Sequence, residues 1–273
     1  MNIVWIVVAS IVGVALLLVA VNELLGRPIM FLRWSGLRML FGMKRLLTEW
    51  QVGDGREEAC ARFVVANAAK GDLDGAIAAI DRFAYRKKFL VNVGDEKGAL
   101  LDDALARAKP KRALELGAYV GYSALRTIRK LPPDARLFSV EFNPANAAIA
   151  RRVAEHAGVA DRVTFIVGSI GDGGATVKTL IEQHGFSPGS LDFVFVDHAK
   201  ECYLADLKTI LDAGWLHAGT VVVADNVGFP GAPDYKAYMD GEEGKRWRTT
   251  THRTHVEYQK VLTDLVLEST FLG

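Results

Sequence analysis

From Lys111 onward, short apolar runs alternate with helical stretches, and this alternation constrains the fold more than any other feature of the chain. Strands that alternate with helices pair in parallel, because each helix carries the chain back across the sheet in a right-handed crossover. The sequence therefore predicts an α/β fold with a mostly parallel sheet. The five apolar runs lie at 113–116, 136–141, 163–167, 191–196 and 220–224.

The sequence on either side of these runs predicts the remaining elements. Three helices are expected at 54–70, 72–88 and 95–109, where Asp54 with Glu57 resembles a capping box and Asp72 opens the second helix. One more helix is expected after Asp234, and closing strands at 246–251 and 260–271 bring the strand number to seven. Because no flexible linker interrupts residues 54–273, we interpret them as one domain.

The first residues of the chain predict a membrane anchor. Ile3 to Val21 are 19 residues without a charge, and at ~1.5 Å per residue they reach about 28 Å, close to the hydrocarbon thickness of a bilayer. A cleaved secretory signal is the alternative, but no basic residue precedes the run and the run is longer than is usual for a signal. Five basic residues follow the span, which predicts a single-pass membrane protein with its domain in the cytoplasm. They are Arg27, Arg33, Arg38, Lys44 and Arg45.

Residues 27–53 mix apolar and basic side chains between this anchor and the domain. Two interpretations are open: a helix that lies in the lipid interface with its basic side toward the headgroups, and a linker helix that docks on the domain. We therefore divide the chain into an anchor at 1–26, a basic amphipathic segment at 27–53 and a domain at 54–273.

The composition of the chain limits which type of partner and which cellular compartment we expect. Lysine and arginine total 33 against 32 acidic residues, so the net charge gives no reason to expect a nucleic-acid partner. Cys60 and Cys202 are the two cysteines; two thiols indicate no disulfide framework and agree with a reducing compartment.

Acidic and amide side chains follow two of the apolar runs and predict a metal site. Asp197 comes after the fourth run, and Asp225 with Asn226 comes after the fifth. Because ligands gather at the carboxyl ends of parallel strands, these side chains should converge. Two carboxylates and one amide oxygen suit Mg²⁺ and leave positions for water and substrate. Lys200 is placed to act as a base there; the plainer alternatives are helix-capping aspartates and a surface lysine.

The first two strand ends predict a cofactor site in the same crevice. Gly117 opens a turn after Glu115, and Ser123 lies in the first turn of the next helix, where free N–H groups bind an acceptor. Glu141 ends the second run, a position from which carboxylates accept hydrogen bonds from ribose; a solvated strand-end glutamate is the alternative. An adenosine-bearing ligand is favoured. A nicotinamide-dependent reductase is not, because Tyr119 stands where the dinucleotide pattern has a glycine.

Several motifs in this order resemble those of the catechol O-methyltransferase family, in its membrane-anchored form. The resemblance extends from about Arg56 to Leu272. It implies a Rossmann-like methyltransferase fold with a seven-stranded sheet, helices on both faces and S-adenosylmethionine as cofactor. The motifs are NVGDEKG at 92–98, LELGAYVGYSA at 114–124, VEFNP at 140–144, VDHAKECY at 196–203, ADNVGFPGAPD at 224–234 and VEY at 256–258.

The resemblance also implies a role for each matching residue. The implied reaction is Mg²⁺-dependent transfer of a methyl group to one hydroxyl of a small catechol by a monomeric domain, with Lys200 as base and Glu257 binding the other hydroxyl. Asp197, Asp225 and Asn226 would hold Mg²⁺. The implied cofactor contacts are Asn92, Val93, Glu115, Gly117, Tyr119, Ser123, Glu141, Phe142, Ile170, Asp197 and His198. The implied substrate contacts are Phe89, Asp197, Lys200, Asn226, Pro230 and Glu257.

The sequence departs from the family pattern in the wall of the substrate pocket. Phe89 and Ala199 stand where tryptophans are expected, and Val91 stands where a methionine is expected. We therefore expect a roomier pocket near Ala199. A membrane-tethered, non-catalytic adaptor that keeps the fold is an alternative function, but it gives no reason for a full set of metal and base residues.

Overall fold

Seven strands form one sheet in this computed structural model, which describes residues 3–24 and 32–273. The strand order is β3-β2-β1-β4-β5-β7-β6. The first five strands pair in parallel and β7 runs antiparallel between β5 and β6, which confirms the predicted α/β class. The strands are β1 (Arg112–Leu116), β2 (Arg136–Glu141), β3 (Val163–Val167), β4 (Leu191–Val196), β5 (Leu216–Ala224), β6 (Trp247–His255) and β7 (Thr263–Phe271).

Eleven α-helices occur in the described residues, and those of the domain cover both faces of the sheet. Neighbouring residues of β4 point to opposite faces, as the two-residue period of a strand requires. Phe193 packs with α4 to α8, whereas Val194 packs with α9 to α11. The helices are α1 (Ile3–Leu24), α2 (Trp34–Phe41), α3 (Met43–Glu49), α4 (Arg56–Asn67), α5 (Leu73–Arg86), α6 (Gly94–Ala108), α7 (Tyr122–Lys130), α8 (Pro144–His156), α9 (Ala175–His184), α10 (Tyr203–Asp212) and α11 (Pro233–Gly241).

The two predicted helix caps have different outcomes. Asp72 caps α5, since its Oδ1 accepts a hydrogen bond from the N–H of Gly75 at 2.8 Å, as predicted. The capping box at Asp54 is wrong: α4 begins at Arg56 without a side-chain cap. Asp54 instead binds the guanidinium of Arg56 at 2.9 Å, because this buried arginine requires a counter-charge. Glu57 accepts a hydrogen bond from the hydroxyl of Tyr119 at 3.0 Å.

Helix α1 is long and apolar enough to cross a membrane between Trp5 and Leu24, with a mean hydropathy of 2.5. Its apolar side chains are mostly exposed, and burial is limited to positions such as Val19 and Asn22 near its end. It therefore does not pack as the core helix of a soluble domain. A signal sequence shares this length and composition.

Residues 34–52, here called the linker segment, contain α2 and α3 and dock on the domain. Leu46 and Val52 are buried. Six hydrogen bonds between described residues join the segment to the domain. They run from Arg56 to Ser35, from Phe89 to Ser35, from Val52 to Glu57, from Asn143 to Glu49, from Asn146 to Trp50 and from Gln51 to Asn146. These contacts support the interpretation of a docked linker helix. Arg27 and the other residues at 25–31 lie outside the described residues.

Candidate functional site

A cavity of about 270 Å³ opens at the carboxyl ends of β1, β2 and β4, at the edge of the sheet where the crevice was predicted. Gly117 forms its floor with φ of 100°, and a Cβ at this position would lie 2.3 Å from the carbonyl oxygen of Asp197. A side chain is therefore excluded there, and the backbone stays open to a ligand. The predicted cofactor residues in the cavity wall are Asn92, Gly117, Tyr119, Ser123, Glu141, Phe142, Ile170, Asp197 and His198.

The carboxylate of Glu141 is fixed at the end of β2. It accepts hydrogen bonds from the backbone N–H groups of Ala118 at 3.1 Å, Tyr119 at 2.8 Å and Asn143 at 2.9 Å. Burial raises the pKa of Glu141 above its ordinary value, although these hydrogen bonds act to lower it. The group is thus a preorganised acceptor beside the cavity, which suits the hydroxyls of a ribose.

A cluster of charged side chains lies next to this cavity, built around Lys97 in the first turn of α6. Its Nζ lies 2.8 Å from Asp225 Oδ1, 2.5 Å from Glu257 Oε1 and 3.0 Å from Asp264 Oδ2, and Lys97 is 1% exposed. Burial acts to lower the pKa of Lys97, but attraction by these carboxylates outweighs it and raises the pKa above its ordinary value. Lys97 should therefore stay protonated at neutral pH. Our sequence interpretation missed Lys97 and Asp264, although Lys97 lies within the motif at 92–98.

The cluster leaves several oxygens without a donor. Asn226 donates both Nδ2 hydrogens, to Glu257 and Asp264 at 2.9 Å each, so its Oδ1 remains available as a ligand. Both carboxylate oxygens of Asp225 are buried and lack a hydrogen-bond donor among the described residues, since Lys97 forms an ion pair without hydrogen-bond geometry. Burial raises the pKa of Asp225 to about 8, with repulsion from Asp197 and Glu257 adding to the effect. A further cation would relieve this repulsion.

Lys200 joins the cavity to the cluster. Its Nζ donates to Asp197 Oδ1 at 2.9 Å and to the Tyr203 hydroxyl at 2.6 Å, and that hydroxyl donates to the carbonyl oxygen of Asp225 at 3.0 Å. Burial raises the pKa of Asp197, and the nearby Lys200 opposes the rise. In residues 3–24 and 32–273, no three His, Cys, Asp or Glu side chains gather in a metal-binding group. The predicted Mg²⁺ ligands Asp197, Asp225 and Asn226 include an asparagine and only two carboxylates, so they do not form a group of this type.

The family model described as O-methyltransferase matches residues 71–244. The chain belongs to the O-methyltransferase family. It is 57% identical to a probable O-methyltransferase of Mycobacterium tuberculosis, over 86% of this chain and 100% of that protein. It is 37% identical to the catechol O-methyltransferase of Bos taurus, over 88% of this chain and 90% of that protein. The solved structure of the O-methyltransferase TomG from Streptomyces achromogenes superimposes with a TM-score of 0.57 at 22% identity, covering 88% of this chain and 100% of that one.

Seven expected contact residues of this O-methyltransferase lie outside the cavity wall: Lys200, Asn226, Pro230 and Glu257 on the charged side, and Val93, Phe89 and Glu115. Val93 is buried at the start of α6. Phe89 is 2% exposed and packs edge-on against the ring of Tyr258, with 6.5 Å between the ring centroids. Glu115 is fully buried beneath the crevice and accepts a hydrogen bond from the hydroxyl of Ser139. Burial raises the pKa of Glu115 to about 7. Val93, Phe89 and Glu115 support the residues of the cavity wall from behind.

The loop that carries Pro230 completes the charged side of the methyltransferase site. Residues 227–231 follow Asn226, and the Phe229–Pro230 peptide bond is cis. Asp264 Oδ1 accepts hydrogen bonds from the N–H groups of Gly228 at 3.1 Å and Phe229 at 2.8 Å. Asp264 therefore fixes both this loop and the neighbouring amide of Asn226, while Pro230 itself is exposed.

Proposed function

We propose that this O-methyltransferase transfers the methyl group of S-adenosylmethionine to one hydroxyl of a catechol-type substrate, with Mg²⁺ as cofactor. One observation carries the proposal. Asp197 lines the cavity and also receives the hydrogen bond of Lys200, so a single side chain belongs to the cofactor crevice and to the charged cluster. A methyl donor and an acceptor hydroxyl bound on the two sides of Asp197 would be neighbours.

The cavity suits S-adenosylmethionine. Glu141 offers a fixed carboxylate to the ribose, and the amide of Asn92 is buried in the cavity wall with neither Nδ2 nor Oδ1 in hydrogen-bond geometry with a described residue. A buried amide without partners is unfavourable unless a ligand satisfies it. The amino and carboxylate groups of the methionine moiety would do so. The structure of TomG, which shares this fold, was determined in complex with the same cofactor.

The donor set fits Mg²⁺. Asp197, Asp225 and Asn226 would hold the ion through hard oxygen atoms, and the carboxylate of Asp225, whose oxygens lack a hydrogen-bond donor, is consistent with that role. When bound, Mg²⁺ lowers the pKa of a coordinated hydroxyl and orients it. The same groups favour a working enzyme over a non-catalytic adaptor, because an adaptor gains nothing from buried polar atoms that lack hydrogen-bond partners.

Two residues of the protein then have separate roles in methyl transfer. Lys200, held by Asp197 and Tyr203, accepts the proton of the reacting hydroxyl through Nζ. Glu257 accepts a hydrogen bond from the hydroxyl that is not methylated. The phenolate oxygen forms a bond to the methyl carbon as the carbon–sulfur bond breaks, and the electron pair remains on sulfur in S-adenosylhomocysteine. Fixed positions for both reactants supply up to ~7–11 kcal/mol of the barrier reduction.

A product-resolved assay tests this function. Full-length protein in detergent is incubated with labelled S-adenosylmethionine, Mg²⁺ and a simple catechol, and compared with Lys200→Met and with Lys178→Met as control, whose side chain is 71% exposed. Loss of a general base should lower kcat by about 10²- to 10⁴-fold, and the control should be unchanged. Full activity in excess chelator would remove Mg²⁺ from the mechanism, and full activity of Lys200→Met would remove the base.

We also infer that α1 anchors the protein in a membrane as a single span, with the methyltransferase domain in the cytoplasm. The exposed apolar surface of α1 supports this, as do the basic residues that follow it. The protein should stay in the membrane fraction after alkaline extraction and enter solution with detergent. Release of an uncleaved chain without detergent would contradict the anchor.

A further inference from the structure

We propose that Trp50, in the linker segment, forms part of the wall that binds the adenosine half of the cofactor. The inference rests on the proposed function, since it takes S-adenosylmethionine as the ligand. Trp50 and Thr48 line the same cavity as Gly117, Glu141 and Ile170. From the sequence we predicted that residues 27–53 are separate from the domain. In the structure, the end of the linker segment forms part of the binding site.

The linker segment is fixed to the part of the domain that presents Glu141. Asn143 and Asn146 lie at the start of α8, immediately after β2. The Nδ2 of Asn143 donates to the carbonyl oxygen of Glu49 at 2.6 Å, and the Nδ2 of Asn146 donates to that of Trp50 at 3.1 Å. The backbone N–H of Asn143 also donates to Glu141 Oε1 at 2.9 Å. Asn143 thus forms hydrogen bonds both to Glu141, the expected ribose acceptor, and to the linker segment.

The local backbone directs Trp50 to this place. Its φ of 51° and ψ of 35° lie in the left-handed region, which is unfavourable for a bulky residue that is not glycine. The neighbouring chain is closely packed: a Cβ on Gly42 would lie 2.4 Å from the carbonyl oxygen of Val52. Trp50 is the C-cap of α3, and its N–H donates to the carbonyl oxygen of Leu46 at 3.0 Å. The end of the helix therefore holds a conformation that the residue would otherwise avoid, and such conformations concentrate at functional sites.

The chemistry of the indole matches an adenosine ligand. Several other side chains in this wall are small or aliphatic, among them Ala199, Cys202 and Ile170. A planar aromatic ring supplies a large apolar face for a purine, and stacking of an aromatic side chain on a base contributes substantially to binding. Trp50 is half-buried and lines the same cavity as Glu141, where the ribose and base are expected.

Calorimetric titration with S-adenosylhomocysteine tests the assignment, using the full-length protein in detergent. Trp50→Ala should raise Kd by about 5- to 100-fold, the range found for loss of one base-stacking side chain, and Trp50→Phe should retain most of the affinity. Trp34→Ala is the matched control, because Trp34 lies in the same segment, is 58% exposed and does not line the cavity; its Kd should equal that of the wild type. Circular dichroism of each variant checks that the fold is kept.

Fluorescence gives a second measurement that does not depend on the alanine variant. Ligand binding should quench the indole of Trp50, and this quenching should disappear in Trp50→Phe, since none of Trp5, Trp34, Trp215 and Trp247 lines the cavity. Equal affinity of Trp50→Ala and the wild type, or equal quenching in Trp50→Phe, would overturn the assignment of Trp50 alone. Absence of binding by the wild type would overturn the proposed function as well.

Discussion

Replacing Lys97 with methionine should destabilise the domain strongly, because it leaves three buried carboxylates without their shared cation. Lys97 is 1% exposed and lies within 3.0 Å of an oxygen from each of Asp225, Glu257 and Asp264. Removing one partner of a buried ion pair typically costs about 3–5 kcal/mol. For a domain of this size, each kcal/mol corresponds to about 2–4 °C, so the thermal midpoint should fall by roughly 6–20 °C.

The deficit should also depend on pH. Loss of the ammonium raises the pKa of the carboxyls it neutralised, and burial already raises that of Asp225 to about 8 in the wild type. An acid whose pKa is raised by folding loses stability as the pH rises from its unfolded value toward its folded value. Because the folded-state pKa of Asp225 is already about 8 in the wild type, the gap that Asp225 contributes between variant and wild type should widen above about pH 8.

Urea unfolding followed by circular dichroism, with chelator present, measures both effects. Lys130→Met is the matched control, since Lys130 is exposed in the last turn of α7, and its free energy of unfolding should change by less than about 0.5 kcal/mol. A loss below about 1 kcal/mol for Lys97→Met at pH 8 would refute the reasoning. So would a gap that narrows as the pH rises.

Three further outcomes follow from the site. Glu141→Gln should weaken S-adenosylhomocysteine binding by about 10- to 100-fold in calorimetry, because a hydrogen bond to a charged group contributes ~1.5–3 kcal/mol; unchanged affinity would exclude Glu141 from the cofactor site. The pKa of Glu115 is raised from 4.5 to about 7 by burial, so the wild type should lose about 3 kcal/mol of stability as the pH rises through this interval, at ~1.4 kcal/mol per pKa unit. Glu115→Gln should lack this loss in urea titrations, and the same slope in both proteins would be contrary evidence. N-ethylmaleimide should label Cys202, which lines the cavity, and spare Cys60, which is fully buried and whose pKa burial raises; peptide mass spectrometry that finds Cys60 labelled in the folded protein would contradict this.

The sheet and the crevice were predictable because both follow from local rules. A strand buried on both faces is a continuous apolar run, and the ends of parallel strands meet at one edge, which is how Glu141 and Asp197 were placed. The bounds were less certain where burial changes along a strand. We predicted that β5 begins at Thr220, but it begins at Leu216. Residues 217–219 are partly or fully exposed and carry no apolar pattern, so periodicity did not extend the predicted strand to them.

Other features of the site depend on contacts that periodicity does not encode. Lys97 lies 160 and 167 positions from Glu257 and Asp264 in the sequence, so no local pattern indicates that they share a proton donor. Phe89 was expected in the substrate wall, but it packs against the ring of Tyr258, a residue far along the chain that no local pattern brings to it. Trp50 was assigned to the basic segment at 27–53, because no local pattern indicates that its carbonyl oxygen accepts a hydrogen bond from Asn146.

The placement of β7 inside the sheet has a consequence for biosynthesis. Glu257 and Asp264 follow Lys97 by 160 and 167 positions, and they complete a centre whose cation and crevice come from residues made much earlier. Until the ribosome has made this stretch, Lys97 lacks two of its three carboxylate partners and the central strand β5 has one unpaired edge. A nascent chain without β7 therefore has an incomplete centre, and proteolytic removal of β7 should reopen that edge.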